Sequence, residues 1–301
     1  MLKICLYCAR FSDQDILTAP LGVAYLAAYL MEQGIVSKEN LIIADTIDEA
    51  IKFNPDIIGV SSLSHVLDDA IRFAGLCKEK TACLTVLGSY HISSLPSSLP
   101  EVFDIGVIGE GEITFTEIVT HFKKDLPVEG WCRDIKGTCY RSENKIRINE
   151  KRPLINDIDS LPYPYRHKTY TDDLPVFTSR GCPFRCTFCA SHKFWQDKIR
   201  FRSHDSVINE ICEAVDKYKP KEVVILDDLW MANKDRFNSI ANGLIENNIP
   251  RKITFRGFCR SNLIHEDEII QLKRLNYRVV RFGAETGSDR LLKKIKGKNI
   301  S

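Results

Sequence analysis

The sequence has almost no excess of charge, since 42 Lys and Arg residues stand against 40 Asp and Glu residues and leave a net charge of +2. This balance gives no electrostatic reason to bind nucleic acid or an anionic membrane surface. The sequence also lacks an apolar run of the roughly 20 residues that a membrane span requires. Its first residues, which include Lys3, read as a strand rather than as a secretory signal. We therefore expect a cytoplasmic protein with no nucleic-acid partner and no membrane partner.

A disulfide framework is also missing, although the chain contains eleven cysteines. A chain of this length without a secretory signal is expected to keep its thiols reduced. Most of the cysteines are dispersed, and several stand in the apolar patterns that are typical of small buried residues. Three of them, Cys182, Cys186 and Cys189, lie within eight residues of one another. This group is the one that requires a chemical explanation.

Apolar runs and helical periodicities alternate along most of the chain, which predicts an α/β fold. In the first part the predicted strands cover residues 2–7, 41–44, 57–61, 84–87 and 106–108, with helices at 21–33, 47–53, 67–80 and 113–123. Strands that are buried on both faces and separated by helices predict a doubly wound, Rossmann-like parallel sheet. After a hairpin at residues 138–148 and a proline-punctuated linker, four further strand–helix units begin at residues 175, 222, 252 and 278. Four units cannot close an eight-stranded barrel, so they predict a partial (β/α) barrel.

These patterns divide the chain into a first domain at residues 1–125, a hairpin and linker at 126–174 and a partial barrel at 175–301. In the first domain, three strands end in small or polar residues, at the edge where parallel sheets bind ligands. Small residues let a bulky ligand approach the backbone, although ordinary turns have the same composition. The candidate ligand-binding residues at these ends are Ser61, Ser62, Gly88, Ser89, His91, Gly109, Glu110, Gly111 and Glu112.

The three clustered cysteines follow directly after the first predicted barrel strand, where barrel enzymes place their chemistry. Their spacing suits three irons of a [4Fe–4S] cluster, and the missing fourth cysteine leaves one iron open. Gly181 permits an unusual backbone bend before the first ligand. A zinc site is the alternative, and His192 is the candidate fourth ligand that it requires.

The loop resembles the signature of the radical S-adenosylmethionine (radical SAM) superfamily, in which three cysteines are spaced Cys-x3-Cys-x-aromatic-Cys. The resemblance implies that S-adenosylmethionine binds the open iron and is cleaved reductively to a 5′-deoxyadenosyl radical, which abstracts a substrate hydrogen. It also implies that Phe188 packs on the adenine and that residues at later strand ends contact the cofactor. Those residues are Asp227, Asp228, Arg260 and Glu285. The two aspartates read equally well as a helix N-cap.

The first domain is similar to the cobalamin-binding domain of one branch of this superfamily. The similarity rests on the turn from Gly88 to His91, on an Asp-x4-Gly-Glu-Gly-Glu segment that ends at Glu112, and on a Leu-Pro-x-Pro linker that begins at Leu161. The histidine motif that supplies a ligand to cobalt in many cobalamin enzymes is absent. The resemblance therefore implies either cobalamin without a protein histidine on cobalt or no cobalamin at all.

Together these features predict a radical SAM enzyme that uses a [4Fe–4S] cluster, S-adenosylmethionine and cobalamin to methylate an unactivated position of a small-molecule substrate. An external electron donor such as flavodoxin or ferredoxin is the expected partner. A radical cyclase, oxidase or rearrangement enzyme of the same branch is the first alternative. The second alternative is a non-catalytic iron–sulfur subunit, because relatives usually continue beyond the fourth barrel strand and this chain is short there.

Overall fold

The computed structural model describes residues 2–11, 20–143, 145–166 and 172–297. These residues form two compact units. The first unit contains the described residues up to Ile155 together with 161–166, and the second contains 156–160 and the described residues from 172 onward. The domain limits deduced from the sequence remain a prediction.

The first unit is built on a seven-stranded sheet with the strand order β2-β1-β3-β4-β5-β6-β7. The first five strands pair in parallel, and the last two pair antiparallel. The central strands are buried on both faces, which explains their continuous apolar sequences. The strands are β1 (Ile4–Cys8), β2 (Leu41–Ile43), β3 (Ile57–Ser61), β4 (Leu84–Gly88), β5 (Ile105–Val107), β6 (Thr138–Ser142) and β7 (Lys145–Ile148).

Helices cover both faces of this sheet and create two apolar cores, one on each side. Local signals fix several helix ends. Thr46 caps the second helix by accepting a hydrogen bond from the Glu49 amide at 3.2 Å, and Asn54 ends that helix in the left-handed region. The helices are α1 (Leu21–Glu32), α2 (Ile47–Phe53), α3 (Leu67–Thr81), α4 (Tyr90–Ser94), α5 (Gly111–His121) and α6 (Glu129–Cys132). The predicted doubly wound architecture is confirmed.

The hairpin β6–β7 lies within the sheet of the first unit, where Ile105 of β5 pairs with Tyr140. The sequence assigns this hairpin to a linking segment, but the structure uses it to pair the otherwise open edge of β5. Asn144, part of the predicted turn, lies outside the described residues.

The second unit contains a four-stranded parallel sheet in the order β13-β12-β11-β8 and a separate antiparallel pair, β9 and β10. Four parallel strands agree with the predicted partial barrel. The antiparallel pair has no counterpart in the prediction, because three-residue strands carry no readable periodicity. The strands are β8 (Asp173–Val176), β9 (Ser179–Gly181), β10 (Ile199–Phe201), β11 (Glu222–Ile225), β12 (Thr254–Phe258) and β13 (Tyr277–Arg281).

Helices alternate with these strands, and their apolar faces pack on the sheet around Trp230, Phe237 and Phe255. Side-chain caps start two of the long helices. Ser203 Oγ accepts from the Ser206 amide at 3.2 Å, and Asn233 Oδ1 accepts from the Arg236 amide at 2.9 Å. The helices are α7 (Ser191–Phe194), α8 (His204–Tyr218), α9 (Lys234–Glu246), α10 (Ile249–Lys252), α11 (Glu266–Arg274) and α12 (Asp289–Lys296). Within the described ranges, no helix has the length and apolar character needed to cross a membrane.

Phe73 of α3 tests the packing of the first unit, because it is fully buried and its ring stacks on Tyr7 at 3.7 Å between centroids. We expect Phe73→Ala to lower the free energy of unfolding by about 3–5 kcal/mol, since it leaves a cavity in a dense core. Phe11, which is 75% exposed, provides the matched control. Chemical denaturation measures both variants, and equal losses for the two would contradict this packing.

Candidate functional site

The cysteine loop begins where β9 ends and is followed by the short helix α7. The Cys186 thiol is buried, whereas Cys182 and Cys189 are partly exposed. The Cys189 amide donates to the Cys186 carbonyl at 3.0 Å, which closes a tight turn between the second and third thiols. All three cysteines are free, so each is available as a ligand.

The surroundings of the Cys182 thiol oppose its ionisation. Burial raises the pKa of the Cys182 thiol, and the nearby negative charges of Asp228 and of the other two cysteines act in the same direction. Arg260 Nη1 lies 3.5 Å from Cys186 Sγ. The Phe184 amide bonds to Cys182 and opposes the rise in the pKa of that thiol. A hydrogen-bond donor of this kind favours the thiolate form, which is the form that binds metals. Across the described ranges, no three His, Cys, Asp and Glu side chains form a group arranged to hold a metal ion. The ligand role of the three cysteines therefore stays a prediction, which their donor chemistry fits.

Gly181 gives the loop its starting direction, with φ at +99°. A Cβ at this position would stand 2.1 Å from the carbonyl oxygen of Lys198, the residue that directly precedes β10. Only glycine avoids both the backbone strain and this clash.

Arg260 lies on the loop after β12, and its guanidinium is tied to several partners besides Cys186. It donates to the Lys296 carbonyl at 3.1 Å and to Asn262 Oδ1 at 2.8 Å, and it stacks 3.8 Å above the Phe184 ring. The structure thus brings Arg260 to the cysteine loop, beside one of the predicted ligands.

Phe188 and Glu285 are the other predicted contacts of S-adenosylmethionine in the second unit. The Phe188 ring is 57% exposed, so one face is free to pack on a ligand. Glu285 adopts a positive φ of 60°, and its carboxylate lies 3.3 Å from Lys296 Nζ. Both contacts stay predictions.

The two adjacent aspartates after β11 differ from each other. Asp227 is 2% exposed and accepts hydrogen bonds from Thr178 and Ser179. Burial raises the pKa of its carboxyl, which these hydrogen bonds and the charge of Arg236 oppose. Asp228 is exposed and accepts from Ser191 Oγ at 3.0 Å. Neither aspartate caps a helix, because α9 begins later and uses Asn233 as its cap.

In the first unit, the predicted residues of the third and fourth strand ends come together. Ser61 pairs with Gly88, the Ser62 amide donates to the Gly88 carbonyl at 3.2 Å, and the His91 amide donates to the Ser62 carbonyl at 3.4 Å. Ser89 stands between them with a positive φ of 84°. Residues at the ends of two different strands, which lie far apart in the sequence, therefore form one edge in space.

His91 is buried in this edge, and its ring nitrogens face two hydroxyl groups that the sequence does not single out. Ser64 Oγ lies 3.0 Å from Nδ1, and Ser98 Oγ lies 3.4 Å from Nε2. Burial lowers the pKa of the His91 imidazole, which favours the neutral ring. Both nitrogens are thus used within the first unit.

The glycine–glutamate segment is adjacent, since the Gly109 amide donates to Ser93 Oγ of α4 at 2.9 Å. Glu110 is buried and accepts from the Ile155 amide at 2.8 Å, so its carboxylate serves the fold. Gly111 starts α5 against Leu26, and Glu112 is buried in the first turn of that helix. The ligand roles predicted for these four residues stay predictions.

Comparisons with known proteins identify both units. Residues 176–301 match the family model of the radical SAM superfamily, and residues 16–119 match that of the B12 binding domain. The chain therefore combines a radical SAM domain with a B12 binding domain. The three predicted cofactors, a [4Fe–4S] cluster, S-adenosylmethionine and cobalamin, are confirmed at the level of these two domains.

Curated relatives of this radical SAM chain include two methyltransferases. An uncharacterized methyltransferase of Pyrococcus horikoshii is 32% identical over 94% of this chain and 64% of the relative. The cytidylyl-2-hydroxyethylphosphonate methyltransferase of Streptomyces wedmorensis is 25% identical over 92% of this chain and 63% of the relative. The chain thus spans slightly less than two thirds of their length.

Among solved structures, the radical SAM methyltransferase TsrM of Kitasatospora setae superposes with a TM-score of 0.80 at 15% identity. The match covers 100% of this chain and 63% of TsrM. At that identity the likeness supports the fold alone, and it agrees with the predicted architecture.

Gly181→Ala tests the start of the cysteine loop. We expect a loss of at least about 1–3 kcal/mol in the free energy of unfolding, since alanine cannot adopt the backbone conformation without strain. Gly287→Ala is the control, because nothing lies within 4 Å of a Cβ there. Thermal unfolding compares the two, and a Gly181→Ala protein as stable as the control would refute the conformation described for this loop.

Proposed function

We propose that the protein is a cobalamin-dependent radical SAM methyltransferase that modifies an unactivated position of a small-molecule substrate. The observation that carries this proposal is the presence, in one chain, of a loop with three free thiols and a B12 binding domain. The two methyltransferase relatives support it.

In this proposal, Cys182, Cys186 and Cys189 hold the cluster and Arg260 stabilises the anionic Cys186 sulfur. Phe188 packs on the adenine of S-adenosylmethionine, while Asp228 and Glu285 contact its polar groups. When bound, the cluster supplies the electron that cleaves S-adenosylmethionine, and cobalamin supplies a carrier for the methyl group. The electron comes from an external donor such as flavodoxin or ferredoxin.

In the first unit, the edge formed by Ser61, Ser62, Gly88 and Ser89, together with Gly109 and Gly111, is proposed to receive cobalamin. Small side chains allow a large ring system to approach the backbone. His91 shapes this edge through its two serine neighbours, because both of its nitrogens are already engaged.

A radical cyclase is the second candidate, and one specific observation favours it. The anaerobic magnesium-protoporphyrin IX monomethyl ester cyclase of Rubrivivax gelatinosus is 28% identical over 76% of this chain and 45% of that protein. Reaction products separate the two candidates.

Cys186→Ala tests the cluster ligands. We expect anaerobic reconstitution to give about one cluster in the unaltered protein and none that cleaves S-adenosylmethionine in this variant, because one of three ligands is lost. Cys212→Ala, on α8 and away from the loop, should load iron normally. Iron and sulfide assays measure loading, and an intact cluster in Cys186→Ala would rule out the assignment.

Product analysis tests methyl transfer. The reconstituted protein, supplied with S-adenosylmethionine, cobalamin and a chemical reductant, is expected to form S-adenosylhomocysteine as well as 5′-deoxyadenosine. S-adenosylhomocysteine marks the donation of a methyl group, whereas cyclisation needs only the radical. Detection of 5′-deoxyadenosine alone by mass spectrometry would favour the cyclase.

A further inference from the structure

Asp227 differs from the other acidic residues at the strand ends because donors of the second unit are hydrogen-bonded to both oxygens of its carboxyl. Oδ1 accepts from the Thr178 amide at 2.6 Å, and Oδ2 accepts from the Thr178 hydroxyl at 2.5 Å and the Ser179 hydroxyl at 2.7 Å. The two donor residues are consecutive, and Cys182 follows Ser179 by three positions. The carboxyl is therefore bound to the main chain that leads into the cysteine loop.

Thr178 is fixed on its remaining sides as well, and it is fully buried. Its carbonyl accepts from Arg236 Nη2 at 2.6 Å and from the Arg202 amide at 3.0 Å, and its hydroxyl accepts from Arg236 Nη1 at 3.2 Å. Arg236 belongs to α9, so this helix and the loop after β11 hold the same residue. Every polar atom of Thr178 thus has a partner.

Arg202 extends this arrangement to the preceding residue. Its Nη1 donates to the Phe177 carbonyl at 2.8 Å and also bonds to Glu210 of α8. Charge-assisted hydrogen bonds of this kind are among the strong ones in proteins. Residues 177–179 are therefore held by side chains that come from three separate places in the sequence.

Asp228 contacts the loop at another point and stays accessible. It accepts from Ser191 at the start of α7, and the Gly181 main chain and the Trp195 side chain also hydrogen bond to it. A carboxylate can accept about four hydrogen bonds in total. Because Asp228 is exposed and Asp227 is not, Asp228 alone retains a surface that a cofactor can reach.

We infer that Asp227 is a positioning residue, which fixes the entry of the cysteine loop through Thr178 and Ser179 rather than contacting S-adenosylmethionine. That the loop holds a cluster rests on the proposed function, whereas the hydrogen bonds that fix the start of the loop do not. The contacts that define it join atoms of the protein alone.

Hydrogen exchange on the iron-free protein tests the fixation by itself. Asp227→Asn replaces an acceptor oxygen with a donor amide facing donor groups, so exchange in peptides covering residues 177–190 should accelerate roughly tenfold. Ser179→Ala removes only one hydrogen bond and should give a smaller acceleration in the same peptides. Asp216→Asn is the matched control, because Asp216 is exposed and its carboxylate pairs with Lys252 at 2.8 Å, outside the segment 177–190.

Iron retention tests the consequence for the cluster. After anaerobic reconstitution, Asp227→Asn and Ser179→Ala should lose iron to a chelator faster than the Asp216→Asn protein. The double variant should lose iron no faster than Asp227→Asn alone, because Ser179 acts through its hydrogen bond to Asp227. The Michaelis constant for S-adenosylmethionine should stay near the unaltered value in Asp227→Asn proteins that retain a cluster.

Normal exchange and normal iron retention in Asp227→Asn, combined with a raised Michaelis constant, would overturn the inference and make Asp227 a ligand contact. If Asp227→Asn unfolds, the Ser179→Ala protein provides the test. Unaltered hydrogen exchange in that variant would also overturn the inference. If the unaltered protein takes up no cluster, the proposed function fails while the exchange experiment still tests Asp227.

Discussion

Three thiols act as one set of ligands only if the main chain around them is held in a single shape, and in this protein that requirement falls on the residues just before the loop. Thr178 follows the end of β8 and is hydrogen-bonded to the side chains of Asp227 and Arg236. Both of these residues lie more than forty positions further along the chain. Ser179 then starts a new strand, whose partner β10 closes against Gly181. The start of the loop thus depends on contacts that form only when the second unit has folded.

The same principle holds in the first unit, where pairing of parallel strands creates the edge that we propose to bind cobalamin. Ser61 and Gly88 are neighbours because β3 pairs with β4, and Ser62 and His91 complete the edge through main-chain hydrogen bonds. The polar side chains there mostly hold the edge together, as His91 does with Ser64 and Ser98. What remains for a ligand is largely backbone and small side chains, which suits a large planar ring system.

Much of this fold could be predicted from the sequence, because buried strands and amphipathic helices leave periodic patterns, and because the cysteine spacing is local. The β9–β10 pair could not be predicted, since strands of three residues show no period. The hydrogen bonds of Asp227 also could not be predicted from the sequence. As one of two acids at a strand end it resembles a cofactor contact, and only the fold brings it to Thr178, 49 residues earlier. Glu110 is similar, because its partner Ile155 lies on a distant segment. Pairings over such distances leave no local signal.

We propose that one chain uses an iron–sulfur cluster and cobalamin together. Simultaneous measurement of iron and cobalt in the anaerobically purified, cobalamin-supplied protein tests it most directly, with the visible spectrum as a check on the cofactor forms. About four iron atoms and about one cobalt atom per chain are expected. Iron without retained cobalt, or cobalt without iron, would contradict it.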